Sequence, residues 1–282
     1  MRIIRDPKKL SKALKSSRKS AKRIGFVPTM GALHPGHLSL IKQAHQDCPI
    51  VVVSIFINPI QFSLKEDLAK YPRTLKRDLA FCRKAGADFV FIPEPGVIYP
   101  NDFTTFVNVE GLENLLCGIS RPGHFRGVTT VIAKLLNIVG PDLLYLGQKD
   151  AQQAVIIKKM VQDLNFPVKV KVMPIVREKN GLAMSSRNIY LSQNQKLQST
   201  VLFKALSLAK TLIDYGQRDT QKIIRRMKEL ISKKKQIKIE YLTIVDLETL
   251  EFIKKITQNC MICLAAKIGK TRLIDNFLIS CD

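Results

Sequence analysis

From residue 24 to about residue 175, short runs of bulky apolar residues alternate with segments whose apolar positions recur at helical spacing. The runs at 24–27, 50–57, 87–92, 143–146 and 168–172 read as strands, and helical spacing lies between them at 38–44, 75–83, 128–139 and 154–164. A run such as Ile50-Val51-Val52-Val53 has no polar face to offer water. Its strand must be covered on both sides, as alternating helices do in a mostly parallel sheet. The pattern predicts an α/β fold with a doubly wound sheet. Ligands of such sheets collect at the carboxyl ends of the strands, near the point where the strand order reverses, so chemistry is sought in the loops after each strand. Beyond about residue 176 the character changes. A polar stretch at 177–188, helices over about 194–215 and 220–235, and short strands around 241–246 and 261–266 predict a smaller α+β domain. The expected division is 1–176 and 177–282.

Forty-six Lys plus Arg against 23 Asp plus Glu leave a formal net charge of +23. An excess of this size suits an acidic partner, nucleic acid included. Its placement argues against nucleic acid: residues 1–23 hold a net +9 and residues 204–240 a net +7, both outside the loops that follow the strands. Both stretches carry apolar residues at helical spacing (Leu10, Ala13 and Leu14; Ile223, Ile224, Met227, Leu230 and Ile231), so they read as solvated faces of amphipathic helices. No window approaches the roughly 18 unbroken apolar residues of a membrane span, and no apolar segment follows the basic start as in a secretory signal. Six scattered cysteines without such a signal are expected to be reduced thiols of a cytoplasmic protein. Cys260 and Cys263 have C-x-x-C spacing, but the run around them reads as a buried strand, where positions three apart face opposite sides.

The loop after the first of these strands reads Pro28-Thr29-Met30-Gly31-Ala32-Leu33-His34-Pro35-Gly36-His37, with a helical pattern directly behind it. Two imidazoles three positions apart, beside the exposed N–H groups and positive dipole end of a helix, make an anion site. Gly31 and Gly36 leave room for a phosphate to approach the backbone. The second strand leads into Asn58 and Gln61, whose amides each supply a donor and an acceptor in one plane, suited to a substrate with hydroxyl and carboxylate groups. Arg121, His124 and Arg126, interleaved with Gly123 and Gly127, read as a clamp for phosphate or carboxylate. Next, Gly147 allows close approach of a nucleotide, Lys149 offers a point charge, and Asp150 can reach ribose hydroxyls or a Mg²⁺-bound water. Met184-Ser185-Ser186-Arg187, in the polar stretch, adds hydroxyls and a cation.

The H-x-G-H string resembles the signature of the nucleotidylyl-transferase superfamily and of the class I aminoacyl-tRNA synthetases. The longer string at 28–37, together with 56–62, 66–74, 121–127, 147–153 and 184–187, is similar to the pantoate–β-alanine ligase family. The similarity runs from about residue 24 to 187 and returns weakly at Gly269-Lys270-Thr271-Arg272-Leu273-Ile274-Asp275-Asn276. The resemblance implies a Rossmann-like first domain and an AMP-forming ligase that condenses (R)-pantoate with β-alanine through pantoyl adenylate, releasing pyrophosphate and then AMP. It implies that ATP is held by Met30, Gly31, Ala32, Leu33, His34, Pro35, Gly36 and His37, by Gly147, Gln148, Lys149 and Asp150, by Val176, and by Met184, Ser185, Ser186 and Arg187. Pantoate falls to Gln61 and Gln153, with Asn58, Arg121 and His124 as further substrate contacts. His34, His37, Lys149 and Arg187 take catalytic roles, His37 as proton donor. Mg²⁺ accompanies ATP with few protein ligands, Asp150 foremost, and a homodimer is implied. Because a reactive acyl adenylate must be kept from water, the second domain is expected to close over the site through residues 184–187. Two other readings compete: an adenylyltransferase that stops at a nucleotidylated product, against which Gln61 and Gln153 argue, and a nucleic-acid binder that keeps the scaffold.

Overall fold

The computed structural model describes residues 1–18, 22–63 and 68–281. They form two compact units: 1–114, 118–147 and 153–174 in the first, and 115–117, 148–152 and 175–282 in the second. The boundary lies two residues before the expected one. Two short segments, 115–117 and 148–152, group with the second unit although they fall within the expected 1–176.

Through residue 173 the elements are β1 (Arg2–Ile4), α1 (Pro7–Arg18), β2 (Ile24–Thr29), α2 (Pro35–Asp47), β3 (Ile50–Ile55), α3 (Leu75–Ala85), β4 (Phe89–Phe91), α4 (Pro95–Ile98), α5 (Cys117–Ser120), α6 (His124–Val139), β5 (Leu143–Gly147), α7 (Ala151–Asp163) and β6 (Lys169–Met173). The six strands make one parallel sheet in the order β1-β4-β3-β2-β5-β6. From β2 the chain steps outward through β3 to β4, then lays β5 and β6 on the other side. The strand order therefore reverses between β2 and β5, and the loop after β2 opens at that point. Every residue of β3 is buried, as its unbroken apolar run requires. Val27, Val51 and Val53 pack with Leu40, Ile41 and Ala44 of α2 on one face. Helix α6 buries most of its length, including Val128, Ile132, Leu135 and Leu136, and ends at Gly140 in the left-handed conformation. The expected doubly wound α/β class is the one observed. In α1, Leu10 and Leu14 are buried while Lys8, Lys9, Lys12 and Lys15 are exposed, which is the amphipathic arrangement read from the spacing. Residues 19–21 of that basic stretch, and residues 64–67 within and beside the 66–74 string, lie outside the described residues.

The second unit carries α8 (Gln193–Asp214), α9 (Thr220–Ser232), β7 (Ile237–Asp246), β8 (Cys260–Ile268) and β9 (Thr271–Ile279), the strands forming an antiparallel sheet in that order. Helix α8 starts in a reciprocal Ser192/Gln195 capping box, and Asp219 caps α9 through the Lys222 N–H at 3.0 Å. On α9, Ile223, Met227 and Ile231 repeat every four residues and are fully buried, while Lys222, Arg225, Arg226 and Lys228 are exposed. Burying each such side chain stabilises by about 1.5–3 kcal/mol, so the apolar stripe holds the helix and the basic face is left to water. Cys260 and Cys263 are buried thiols of the central strand, and burial pushes Cys260 up to about 11. Two strands were not expected, β1 and β9. No helix among the described residues is long and apolar enough to cross a membrane.

Candidate active site

The loop after β2 is held from behind. Thr29 Oγ1 donates to the Ser54 carbonyl at 2.7 Å and accepts from the Gly31 N–H at 3.2 Å. Gly31 (φ 82°) and Ala32 (φ 49°) are both left-handed, turning the chain back into α2. For Ala32 that conformation costs about 1–2 kcal/mol. It is offset by the buried carboxylate of Asp78 on α3, whose two oxygens accept from the Ala32 and Leu33 N–H groups at 2.9 Å each and from Thr74 Oγ1. His34 then caps α2, its Nδ1 accepting from the Gly36 N–H at 3.2 Å. His37 Nδ1 faces the His34 N–H at 3.4 Å, and Pro35 takes the first helical position. The ring centroids lie 4.0 Å apart. Since each Nδ1 accepts, the proton of each neutral imidazole sits on Nε2. Both rings are thereby set as Nε2–H donors at the positive end of α2.

The amides after β3 are oriented by a chain of partners that admits one arrangement. The Gly127 carbonyl can only accept, so the Asn58 atom 3.0 Å from it is Nδ2, and Oδ1 accepts from Tyr99 Oη at 2.8 Å. Burial raises the Tyr99 phenol well above its ordinary value, which keeps it a donor. The second Asn58 Nδ2 hydrogen goes to Gln61 Oε1 at 3.0 Å, which leaves Gln61 Nε2 to donate to the Met30 sulfur at 2.9 Å. His124 is buried, its Nδ1 donating to the Gln61 carbonyl at 2.8 Å and its Nε2 2.8 Å from Arg121 Nη1. Asn58 and His124 thus both bond Gln61, one at its side-chain amide and one at its backbone carbonyl, so three of the expected substrate contacts, Asn58, Gln61 and His124, are brought together. Arg126 stacks over Phe106 at 3.9 Å. Gln153 sits half-buried in the first turn of α7.

In the second unit, Gln148, Lys149 and Asp150 form a 3₁₀ turn in which Lys149 Nζ lies 3.1 Å from Asp150 Oδ1. The stretch at 176–184 is a tight hairpin, followed by a 3₁₀ turn at Ser186–Tyr190. The Met184 N–H bonds the Val176 carbonyl at 3.0 Å, and buried Asn188 Nδ2 donates to Glu178 Oε1 at 2.8 Å and to the Ala183 carbonyl at 3.1 Å. Ser185 caps the turn that carries Ser186 and Arg187, accepting from the Arg187 N–H at 3.2 Å. Sequence reasoning missed Asp78 and Tyr99. Asp78 lies more than forty residues from the loop it holds, and no local signal marks it.

A pair of imidazoles at a helix N-terminus, beside the switch point of a parallel sheet, is an arrangement suited to binding a phosphate-bearing ligand. The model of the Pantoate-beta-alanine ligase family matches residues 2–278. The chain is 50% identical over 276 residues to the pantothenate synthetase of Caldicellulosiruptor bescii, covering 98% of this chain and 97% of that one. It is likewise 50% identical over 281 residues to that of Fervidobacterium nodosum, covering both chains fully. Among solved structures, pantothenate synthetase from Thermus thermophilus superposes with a TM-score of 0.94 at 41% identity, over 98% of this chain and 99% of that one. The pantoate-β-alanine ligase from Francisella tularensis, complexed with beta-gamma ATP and β-alanine, gives 0.81 at 36% identity, over 99% and 97%. The chain belongs to the pantoate–β-alanine ligase family.

Proposed function

We propose that the chain joins pantoate to β-alanine using ATP. The pantoate carboxylate attacks the α-phosphorus to give pantoyl adenylate and pyrophosphate, and the β-alanine amine then displaces AMP. The observation that carries this reading is the pair of imidazoles at the start of α2, each with its Nδ1 turned to a backbone N–H. The nucleophile belongs to the substrate, so the protein supplies position and charge. His34 and His37 donate to phosphate oxygens as charge grows there, His37 as the proton donor, while Lys149 and Arg187 neutralise the leaving pyrophosphate. Residues 30–37, 147–150, Val176 and 184–187 hold ATP. Gln61 and Gln153 take pantoate. Asn58, Arg121 and His124 are further substrate contacts, and they also hold the Gln61 amide and carbonyl in place. The Francisella relative complexed with beta-gamma ATP and β-alanine supports the assignment of both ligands.

Mg²⁺ enters with ATP. Among the described residues no three ligating side chains converge, and Asp150 is a single half-exposed carboxylate beside Lys149. Asp150 would be the residue that holds the ion, and the ion would supply neutralisation of phosphate charge. A cytoplasmic homodimer completes the reading, and sedimentation at twice the 31.9 kDa chain mass is the expected result. The chemistry is tested by pantoate-dependent exchange of labelled pyrophosphate into ATP without β-alanine. Exchange that needs pantoate, and that His37→Ala abolishes in a folded protein, is expected. Exchange without pantoate, or an unchanged rate in the variant, overturns the reading.

A further inference from the structure

The motif that returns at the end of the chain, Gly269 to Asn276, is not used by the mechanism above. Its last two residues lie in the middle of β9, where two consecutive buried polar side chains interrupt the apolar run from Leu273 to Ile279. Successive residues of a strand face opposite sides, and each of these two holds a different loop. On one side, Asp275 takes both arms of Arg177, at 2.6 and 2.9 Å. Arg177 also bonds the Gly181 carbonyl at 3.1 Å and stacks on Phe203 and Phe277, so the root of the 176–184 hairpin is pinned through one guanidinium. On the other side, Asn276 Nδ2 donates to the Gln148 and Lys149 carbonyls at 2.9 and 3.1 Å, and its Oδ1 accepts from Gln148 Nε2 at 3.1 Å. The two side chains are coupled, because the Asn276 N–H donates to Asp275 Oδ1 at 2.8 Å.

We propose that Asp275 and Asn276 are a positioning pair that sets the 148–150 turn and the 184–187 turn as one rigid body for adenylate formation. The inference rests on the reading of those two turns as the ATP-facing loops. Neither residue need touch a substrate. Their work is to fix where Lys149 and Arg187 stand when charge moves onto pyrophosphate, and a misplacement of about 1 Å there costs on the order of 100-fold in rate. The second step has no pyrophosphate to neutralise, so its rate at saturating pantoyl adenylate should not depend on the pair, although binding of the adenylate, whose nucleotide half the same loops hold, should weaken.

The test separates the two half-reactions in Asn276→Ser and Asp275→Asn. Pantoate-dependent pyrophosphate exchange is expected to fall by about 10- to 100-fold with a raised KM for ATP. Conversion of chemically prepared pantoyl adenylate, at saturating concentration, and β-alanine to pantothenate and AMP is expected to stay within about twofold of the parent rate, too small a change to mark a lost contact. Equal loss in both half-reactions, or unchanged exchange, overturns the proposal. A parent enzyme that shows no pantoate-dependent exchange overturns instead the functional reading beneath it. Should neither variant fold, native-state hydrogen exchange on the parent decides. Opening of 148–152 and 177–188 together with β9 is expected, and independent opening of the two loops refutes the coupling.

Discussion

The placement of Gln61 rests on one glycine, which makes Gly127→Ala a stringent test. A Cβ at position 127 would stand 2.6 Å from Gln61 Cα and from the Ile60 carbonyl, and 2.7 Å from the Gln61 nitrogen. That is about 0.8 Å short of the closest ordinary van der Waals contact, 3.4 Å. All three atoms are backbone, so no side chain can swing aside. The Asn58–Gly127 and His124–Gln61 bonds tie the same two segments together, so helix and turn cannot part without breaking them. Overpacking of this kind costs about 1–3 kcal/mol of stability. A Gln61 amide displaced by most of an ångström should lower pantoate-dependent adenylate formation by about 10- to 100-fold. The KM for ATP should stay near its parent value, because the histidine loop is held separately by Thr29 and Asp78. Urea unfolding gives the first quantity, and pyrophosphate exchange with pantoate and ATP titrated in turn gives the others. A variant that loses stability yet keeps the parent KM for pantoate and the parent rate would refute the role given to Gln61.

Three further outcomes follow from the same geometry. Gly147→Ala meets no heavy atom within 4 Å, so its stability should stay within about 0.5 kcal/mol of the parent. Its KM for ATP should nonetheless rise if the end of β5 faces the nucleotide, and an unchanged KM counts against that. Asp78→Asn replaces an acceptor facing two N–H groups with a side chain that carries one acceptor. The expected loss is about 1–3 kcal/mol in thermal or urea unfolding, together with a fall in exchange rate as Ala32 and His34 shift. Asp47 is held below its ordinary value of 3.8 by its bond to Lys171 and then by that from Tyr145, so it stabilises the fold above that value and less as pH falls through its lowered one. Asp47→Asn should therefore cost about 1 kcal/mol at pH 7, with the gap to the parent closing below about pH 4 in urea titrations. A gap that widens in acid would reverse the sign of the argument.

How far the sequence could be read depended on how local each signal was. The central strands were legible because a run such as Val51-Val52-Val53 can exist only with both faces covered, and all of β3 is indeed buried. The histidine pair was legible because His34, Gly36 and His37 are neighbours in the chain. Strand β9 was not, since Asp275 and Asn276 break its apolar pattern, and those residues make sense only against Arg177 and Gln148, each about a hundred residues or more away. Strand β1 was hidden in a basic stretch and is three residues long. Asn58 and His124 were visible as polar residues in the right loops. Their facing was not, because it is set by the Gly127 carbonyl, Tyr99 and Arg121 across the fold. The tautomers of His34 and His37 likewise depend on backbone N–H groups that a string of letters does not orient.

The central claim is that one chain both activates pantoate and hands it to an amine. The most direct measurement is a product count in a reaction holding ATP, Mg²⁺, pantoate and β-alanine, with each omitted in turn. AMP, pyrophosphate and pantothenate should form in equal amounts, with all three falling to background when pantoate or ATP is left out and pantothenate absent without β-alanine. Accumulation of a stable nucleotidylated product, or AMP formed without regard to β-alanine at multiple turnovers, would contradict it.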